Sequence, residues 1–394
     1  MAKGIGITKK SYLEEPRLKK KDRSITTQSR TKRLGPIAAE VTIYVLVILF
    51  FASGTYWRNK TWNSEMELFA DCVKKSPNKD RPHNNLGTAF GHLGRHQEAI
   101  PHFNEALRIN PNYAEAHYNL GNAFDRLGKH QEAVAQYTEA LRINPDYAEA
   151  HYNLGNVFGR LGKYQEAAAQ YSEALRIKPH YAEARNNLGG TFDRMGNYRE
   201  AVAQYSEALR INPDYVEARN NLGSTFEHLG NYREAIAQYT EALRVNPNLA
   251  ETHRNLGSVF ERLGKYQEAV GQYTEALRIN PHLAETHSNL GSALDRLGKY
   301  QEAMTHLNAA LRIKPGYAGA HYNLGNVFVH LGKYQEAIAQ YTEALRINPR
   351  FAEAHANLGI AYFMMGNRSS ALKEYEVLKT MNPGLADALY EKMK

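Results

Sequence analysis

The chain has 394 residues, of which 43% are hydrophobic and 23% are charged, and its formal net charge at pH 7 is +8. This apolar share is large enough to fill a hydrophobic core, so it excludes a chain that is disordered throughout. The single cysteine, Cys72, excludes an intramolecular disulfide framework and a cysteine-based metal cage.

The excess positive charge lies at the N-terminus. Residues 1–35 contain 11 Lys or Arg and three acidic residues, whereas the remaining residues contain 38 basic and 38 acidic residues. Because this tail has few apolar residues and no helical or strand period, the sequence predicts a disordered cytoplasmic segment. A nucleic-acid-binding arm is an alternative, although Tyr12 is the only aromatic residue there.

Residues 36–57 predict one transmembrane helix. Glu40 is the only charged residue between Ile37 and Trp57, and 21 helical residues span roughly 30 Å, the thickness of a bilayer core. Because the basic tail precedes this helix, the positive-inside rule predicts a single-pass protein with a cytoplasmic N-terminus and extracytoplasmic repeats, in a periplasm or lumen. The tail is then a topology signal, and no nucleic-acid partner is expected. A cleaved signal peptide, compatible with Ala52-Ser53-Gly54, and a buried core helix are the alternatives.

The rest of the chain repeats with a period of 34 residues. With position 1 set at Asp80, nine repeats fill residues 80–385, and apolar spacings of three, four and seven predict two helices, A and B, in each. The triplet Asn-Leu-Gly marks every repeat without insertion, beginning at residues 85, 119, 153, 187, 221, 255, 289, 323 and 357. In the second repeat the packed faces consist of Leu120, Gly121 and Phe124 in helix A and Ala133, Tyr137, Ala140 and Leu141 in helix B.

Local signals predict where these helices begin and end. Gly128 predicts the turn between the two helices of its repeat, and Pro145 predicts the end of helix B. Asp146 with Glu149 predicts a capping box at the start of the next helix A.

Two repeats depart from the pattern. Pro101 falls inside helix B of the first repeat and predicts a kink. Gly316 and Gly319 replace the capping residue and the glutamate in the eighth repeat, so its helix A is predicted to start less firmly.

The nine 34-residue repeats closely resemble the tetratricopeptide repeat family, and they cover about four-fifths of the chain. The resemblance implies an all-α superhelical solenoid, preceded here by the transmembrane helix, with a concave groove that binds proteins or peptides. Residues 58–79 are predicted to supply a lone helix B that covers the first repeat. Residues 386–394 are predicted to form a C-terminal capping helix, which open solenoids need for solubility.

Asparagine occupies position 6 in all nine repeats: Asn85, Asn119, Asn153, Asn187, Asn221, Asn255, Asn289, Asn323 and Asn357. This row resembles the asparagine ladder in the repeats of O-linked N-acetylglucosamine transferase, which implies that position 6 faces the groove. Because an amide both donates and accepts hydrogen bonds, the row predicts a grip on an extended peptide backbone. The alternatives are that these amides bond neighbouring repeats, or that recent duplication copied them.

Position 13 is basic in most repeats, and position 12 is often acidic. The arginines at position 13 are predicted to line the peptide-binding groove: Arg126, Arg160, Arg194, Arg262 and Arg296. The groove is then polar and of mixed charge, and an acidic peptide is one candidate ligand. The alternative is an ordinary solvated helix face.

The sequence predicts no catalytic, metal or cofactor site, and hence a protein that is not an enzyme. Histidine recurs at position 4, but arginine replaces it in two repeats, and one ligand per repeat does not form a compact metal site. These histidines are therefore expected to pack between repeats.

The junction after the apolar segment also resembles a known family. Its matching residues are Arg58, Asn59, Trp62, Leu68, Phe69, Pro77, Asn78, Arg81 and Asn85-Leu86-Gly87. They resemble the link between membrane domain and repeats in the transmembrane O-mannosyltransferase-like family, whose catalytic membrane domain has no counterpart in this sequence.

The sequence therefore predicts a membrane-anchored scaffold that binds partner proteins or extended peptides. The alternative is an accessory subunit or truncated relative of a membrane glycosyltransferase, with that enzyme as a partner and the repeats presenting acceptor protein.

Overall fold

The computed structural model describes residues 34–61 and 64–394, with side chains described for 41–56 and 64–394. The predicted disordered tail therefore lies almost entirely outside the described residues. Within the described ranges every regular element is an α-helix, 21 in all, which confirms the all-α repeat fold. The chain divides into two compact units, the residues up to Cys72 and Val73–Lys394.

The first unit contains α1, Leu34–Thr61, and most of α2, Glu65–Lys75. The large apolar side chains from Val41 to Phe51 are between 45% and 72% exposed. Among the helices of residues 34–61 and 64–394, none combines the length and the apolarity that crossing a bilayer requires. The transmembrane helix predicted at 36–57 is thus not confirmed.

The second unit consists of nine helical hairpins and a final helix. The A helices are α3 (Asp80–His92), α5 (Ala114–Arg126), α7 (Ala148–Arg160), α9 (Ala182–Arg194), α11 (Val216–His228), α13 (Ala250–Arg262), α15 (Ala284–Arg296), α17 (Ala318–His330) and α19 (Ala352–Met364). The B helices are α4 (His96–Ile109), α6 (His130–Ile143), α8 (Tyr164–Ile177), α10 (Tyr198–Ile211), α12 (Tyr232–Val245), α14 (Tyr266–Ile279), α16 (Tyr300–Ile313), α18 (Tyr334–Ile347) and α20 (Arg368–Met381). The last helix, α21, is Pro383–Met393.

The hairpins are closed by glycine and held together by small residues. Gly128 follows α5 with a φ of 73°, a left-handed conformation that other residues adopt at a cost. The neighbouring repeats share one core, because Tyr137 of α6 packs with Leu154 and Val157 of α7. Ala133 and Ala140 are fully buried, so no room exists there for a larger side chain.

The predicted capping boxes are wrong by one residue of register. The N-cap of α7 is Tyr147, which makes no side-chain cap, and Glu149 therefore lies at the second helical position. The backbone N–H of Asp146 instead donates to Asn144 Oδ1 at 3.3 Å, an Asx-type turn that positions the chain before the helix.

The ends of the repeat array differ from prediction in detail. α4 runs without interruption through Pro101. α21 begins at Pro383, three residues before the start expected from the sequence, because proline suits the first turn and Asn382 Oδ1 accepts from the backbone N–H of Leu385 at 3.2 Å. Its residues Ala386 and Leu389 are buried against the last repeat.

Candidate functional site

One face of the A helices carries the predicted site. We call it the helix-A groove and define it by repeat positions 5, 6, 9, 12 and 13. Four open cavities of about 500, 450, 490 and 520 Å³ lie along it, lined by these positions from adjacent repeats. The repeated sequence places these side chains together because each A helix stacks beside the next in the same register.

The cavities bring most of the predicted site residues together. In chain order, the 500 Å³ cavity contains Asn119, Asn153, Arg126 and Arg160, and the 450 Å³ cavity contains Asn187, Asn221, Arg160 and Arg194. The other two contain Asn255 with Arg262, and Asn323, Asn357 with Arg296. Asn85 and Asn289 are half-buried and line none of these four cavities.

Most of the position-6 asparagines bond the preceding repeat. Asn153 Nδ2 donates to Tyr118 Oη at 3.1 Å and to Asn122 Oδ1 at 2.9 Å. Asn187 and Asn357 repeat this geometry with the corresponding tyrosine and asparagine. Asn119 likewise donates twice to the repeat before it. In these four repeats the amide hydrogens already hold the array together, so the continuous backbone grip predicted for all nine amides is not what the structure shows.

The middle of the array differs because position 9 changes. Where position 9 of the preceding repeat is Gly190, Asn221 donates only once, to Asn186 Oδ1 at 3.1 Å. Where it is Ser224, the Asn255 side chain makes no hydrogen bond with any residue the structure describes. Asn323 donates once, to Ser288 Oγ at 3.1 Å. Among the asparagines that line the cavities, amide hydrogens are therefore left for a ligand at Asn221, Asn255 and Asn323.

The charges of the groove form a ladder between repeats. The acid at position 12 pairs with the base at position 13 of the following repeat, 35 residues later. The ion pairs are Asp125–Arg160 at 2.6 Å and Glu227–Arg262 at 3.2 Å. At the same positions His228 lies 3.8 Å from Asp193 and His330 lies 2.8 Å from Asp295, contacts that become ion pairs only when the histidine is protonated. At the end of the array both positions are uncharged, with Val329 at position 12 and Met364 at position 13 of the next repeat.

Three of the predicted groove arginines stand outside this ladder. Arg126 and Arg194 follow repeats that have glycine at position 12, Gly91 and Gly159, and neither arginine has an ion pair among the described residues. Arg296 is different, because Glu261 accepts from Tyr273 Oη at 2.9 Å and from Ser292 Oγ at 3.0 Å instead.

Tyrosine and histidine have structural roles here. Tyr137 is 1% exposed, burial raises the pKa of its phenol, and its hydroxyl donates to Asn122 Oδ1 at 2.7 Å. His117 bridges Pro111 O, at 3.1 Å from Nε2, and the side-chain amide of Gln136. Arg219 donates to the equivalent carbonyl of Pro213, which explains why arginine can replace histidine at position 4. The residues described include no group of three or more potential metal ligands.

Positions 5 and 9 of the groove were missed by the sequence reasoning, although they accept the hydrogen bonds of position 6. The signal was present, because tyrosine at position 5 accompanies asparagine at position 9, as in Tyr118 with Asn122 and Tyr322 with Asn326.

Family models of the tetratricopeptide repeat match most of the repeat array. One, described as a TPR repeat, matches 194–230, 296–332 and 325–366. A second model, described as a tetratricopeptide repeat, matches 80–146 and 217–282. A third, with the same description, matches 118–182 and 152–194. Comparison with curated proteins finds no match.

Solved structures that are similar to parts of the chain include the following three. YrrB, described as a TPR protein with an unusual peptide-binding site, is 23% identical, covers 47% of this chain and 95% of its own, and has a TM-score of 0.42. PilF of Pseudomonas aeruginosa is 22% identical over 52% of this chain and 94% of its own, with a TM-score of 0.47. MamA is 29% identical over 43% and 95%, with a TM-score of 0.37.

Proposed function

The chain belongs to the tetratricopeptide repeat family, and from that premise we propose that it is a scaffold that binds extended segments of partner proteins in the helix-A groove. The observation that supports this proposal is the row of four polar cavities, about 450 to 520 Å³ each, on one face of the array. Successive cavities of this kind suit a chain that lies along the groove rather than a single small molecule. We propose a binding protein rather than an enzyme.

The amides that remain available give the groove its backbone grip. Asn221 has one amide hydrogen uncommitted and Asn255 has both. Because backbone carbonyls recur along any extended peptide, two amides of this kind hold a chain with little regard to its side chains. Nearby, Arg254 and Glu251 line the same cavity and can add side-chain contacts.

The experiment uses the full chain and an array of immobilised, unstructured 12-residue peptides. Peptides bound by the wild type are then measured against the double variant Asn221→Ala/Asn255→Ala, which is expected to bind them about tenfold more weakly, as two hydrogen bonds are lost. The control is Asn289→Ala, which lies outside the cavities. If no peptide binds, or if the double variant binds as tightly as the wild type, the groove proposal is wrong.

A narrower proposal concerns attachment to a membrane. It is supported by the run of exposed apolar side chains from Val41 to Phe51 on α1, since contiguous apolar surface of this size is normally covered by a lipid or a protein. We propose that α1 anchors the chain, with the basic tail in the cytoplasm and the repeats outside it. Flotation of the chain with phosphatidylcholine and phosphatidylglycerol vesicles tests the anchor, and Leu46→Glu/Leu49→Glu should abolish it. A reporter fused after Lys394 tests the side on which the repeats lie.

The alternative function is an accessory subunit, or a shortened relative, of a membrane glycosyltransferase. It predicts co-purification with a multi-pass enzyme and presentation of its acceptor protein by the groove. The two narrower resemblances, to O-linked N-acetylglucosamine transferase and to the O-mannosyltransferase-like family, stay predictions.

A further inference from the structure

We propose that the groove of repeats 1 to 4 selects a partner segment rich in Asp and Glu, whose carboxylates pair with Arg126 and Arg194. This inference deepens the proposed function and rests on it, because it names the chemistry of the segment that the groove would hold.

The argument starts from the rule that governs the other charges. An acid at position 12 pairs with the base at position 13 one repeat later, as Asp125 does with Arg160, whose Nη2 lies 2.6 Å from both carboxylate oxygens. Such a pair cancels the charge of the arginine within the protein. The ladder therefore removes Arg160 and Arg262 as sites for an anionic ligand.

Three groove arginines escape this cancellation, and two of them, Arg126 and Arg194, do so because no acid faces them. The residues that should face Arg126 and Arg194 are Gly91 and Gly159, which have no side chain. Both arginines are exposed, so the guanidinium groups can reach a ligand and donate two parallel hydrogen bonds to one carboxylate. The two sites are spaced two repeats apart, with the internally paired Arg160 between them.

The linings of the cavities show the same difference in pairing. The 500 Å³ cavity holds Arg126, Arg160, His92 and His96, and its only acid, Asp125, is already paired with Arg160. In the 450 Å³ cavity, where Arg160 is already paired with Asp125, the unpaired Arg194 lies with a single acid, Glu217. By contrast, both arginines of the 490 Å³ cavity farther along have acidic partners, Arg262 with Glu227 and Arg254 with Glu251. A carboxylate-rich segment therefore finds unpaired arginines in repeats 1 to 4, whereas the cavity of repeats 5 and 6 offers it no unpaired arginine.

The missing acids can be restored without removing either arginine. A Cβ atom at Gly91 meets no atom within 4 Å, and one at Gly159 meets only Tyr171 Oη at 4.0 Å. Both glycines lie in helices with ordinary φ, so aspartate fits at both positions. The variant Gly91→Asp/Gly159→Asp should add two ion pairs like Asp125–Arg160, and thereby neutralise Arg126 and Arg194 in place.

The test measures fluorescence anisotropy of tetramethylrhodamine-labelled (Asp-Ser-Gly)4 with the full chain. We expect (Asn-Ser-Gly)4 to bind more weakly than the acidic peptide. The double glycine variant should raise the dissociation constant of the acidic peptide about threefold for each restored pair, and about tenfold in all, with little effect on the neutral peptide. Arg126→Gln/Arg194→Gln should have the same effect. The matched control is Arg108→Gln/Arg210→Gln, which changes the net charge equally at exposed pairs with Glu105 and Glu207 on the B helices.

Three results would overturn the inference. The acidic and neutral peptides could bind equally, the control could weaken binding as much as the glycine variant, or a single-stranded oligonucleotide could compete better than unlabelled acidic peptide. Each of these would leave the groove proposal standing if peptides selected on the array still bind, whereas loss of all peptide binding is a failure of the proposed function itself.

Discussion

The ring of Tyr137 lies against the backbone of Gly121, where an added Cβ atom would come within 2.8 Å of ring atoms Cδ1 and Cε1. The same relationship recurs between Gly223 and Tyr239. The ring of Tyr137 also packs against the next repeat, where it contacts Leu154 and Val157. The close approach of helices A and B within one hairpin is thus coupled to the contact between hairpins.

The first prediction follows from this contact. Gly121→Ala should destabilise the array by about 1–3 kcal/mol, because neither the helix nor the ring can move without loss of packing. Gly91→Ala is the matched control, since it makes the same chemical change where nothing lies within 4 Å. Alanine favours a helix over glycine by about 1 kcal/mol, so the control should unfold at an equal or higher temperature than the wild type. Equal melting temperatures of the two variants would contradict the close approach.

The second prediction separates the structural asparagines from the available ones. Asn187→Ala removes two hydrogen bonds to the preceding repeat and leaves Asn156 Oδ1 with one donor fewer, so it should cost about 1–3 kcal/mol of stability. Asn255→Ala, which breaks no hydrogen bond with a described residue, should change stability by less than about 0.5 kcal/mol. Thermal unfolding of the two variants beside the wild type measures the difference. If Asn255→Ala lowered the melting temperature more than Asn187→Ala, the hydrogen bonds of position 6 would not be what stabilises the array.

The third prediction concerns pH. His287 and His306 face each other with their Nδ1 atoms 3.1 Å apart. Burial lowers the pKa of both imidazoles. For His287 the hydrogen bond to Pro281 O opposes this shift and nearby Arg312 adds to it. For His306 the neighbouring His287 adds to the lowering of the pKa and Glu302 opposes it. Because the unfolded chain binds protons near pH 6.5 and the folded pair stays neutral to lower pH, stability is full above about pH 6.5 and falls as the pH decreases below it.

Two substitutions test this origin of acid sensitivity. His306→Gln restores the residue found at position 23 in most repeats, and should reduce the fall in melting temperature between pH 7.5 and pH 5.5. Gln340→His builds the same histidine pair with His321 in the eighth repeat and should increase the fall. If both variants titrate like the wild type, the pair is not responsible.

The fourth prediction is a local soft point at the start of α17. This helix has no acidic residue in its first turn, because Gly319 stands where Glu149 stands in α7. Loss of a favourable charge near the helix dipole costs about 0.3–1 kcal/mol, and glycine in a helix costs about 1 kcal/mol more. Hydrogen exchange should therefore be faster in the first turn of α17 than in α7, and Gly319→Glu should slow it. Equal protection of the two helices would refute the prediction.

The sequence by itself determined the elements of the repeat and their packing within a hairpin. The 34-residue period, the turn glycine such as Gly128, and the packed helix faces that contain Gly121 and Tyr137 are all local consequences of helical spacing. That the ring of Tyr137 lies against Gly121 itself comes from the structure. The predicted start of the A helices was wrong by one residue. Their N-cap is a residue such as Tyr147, whose side chain makes no capping hydrogen bond, so the residue type does not indicate the start of the helix.

Only the tertiary structure decided which side chains remain for a ligand. Asn153 and Asn255 occupy the same repeat position, yet the first is committed to Tyr118 and Asn122 while the second has no hydrogen-bond partner among the described residues. Arg160 and Arg194 likewise look alike in the sequence, and only the structure pairs the first with Asp125. The physical reason is that these contacts join residues 31 to 35 positions apart. They depend on how one hairpin stacks on the next, a geometry that the period of the sequence does not encode.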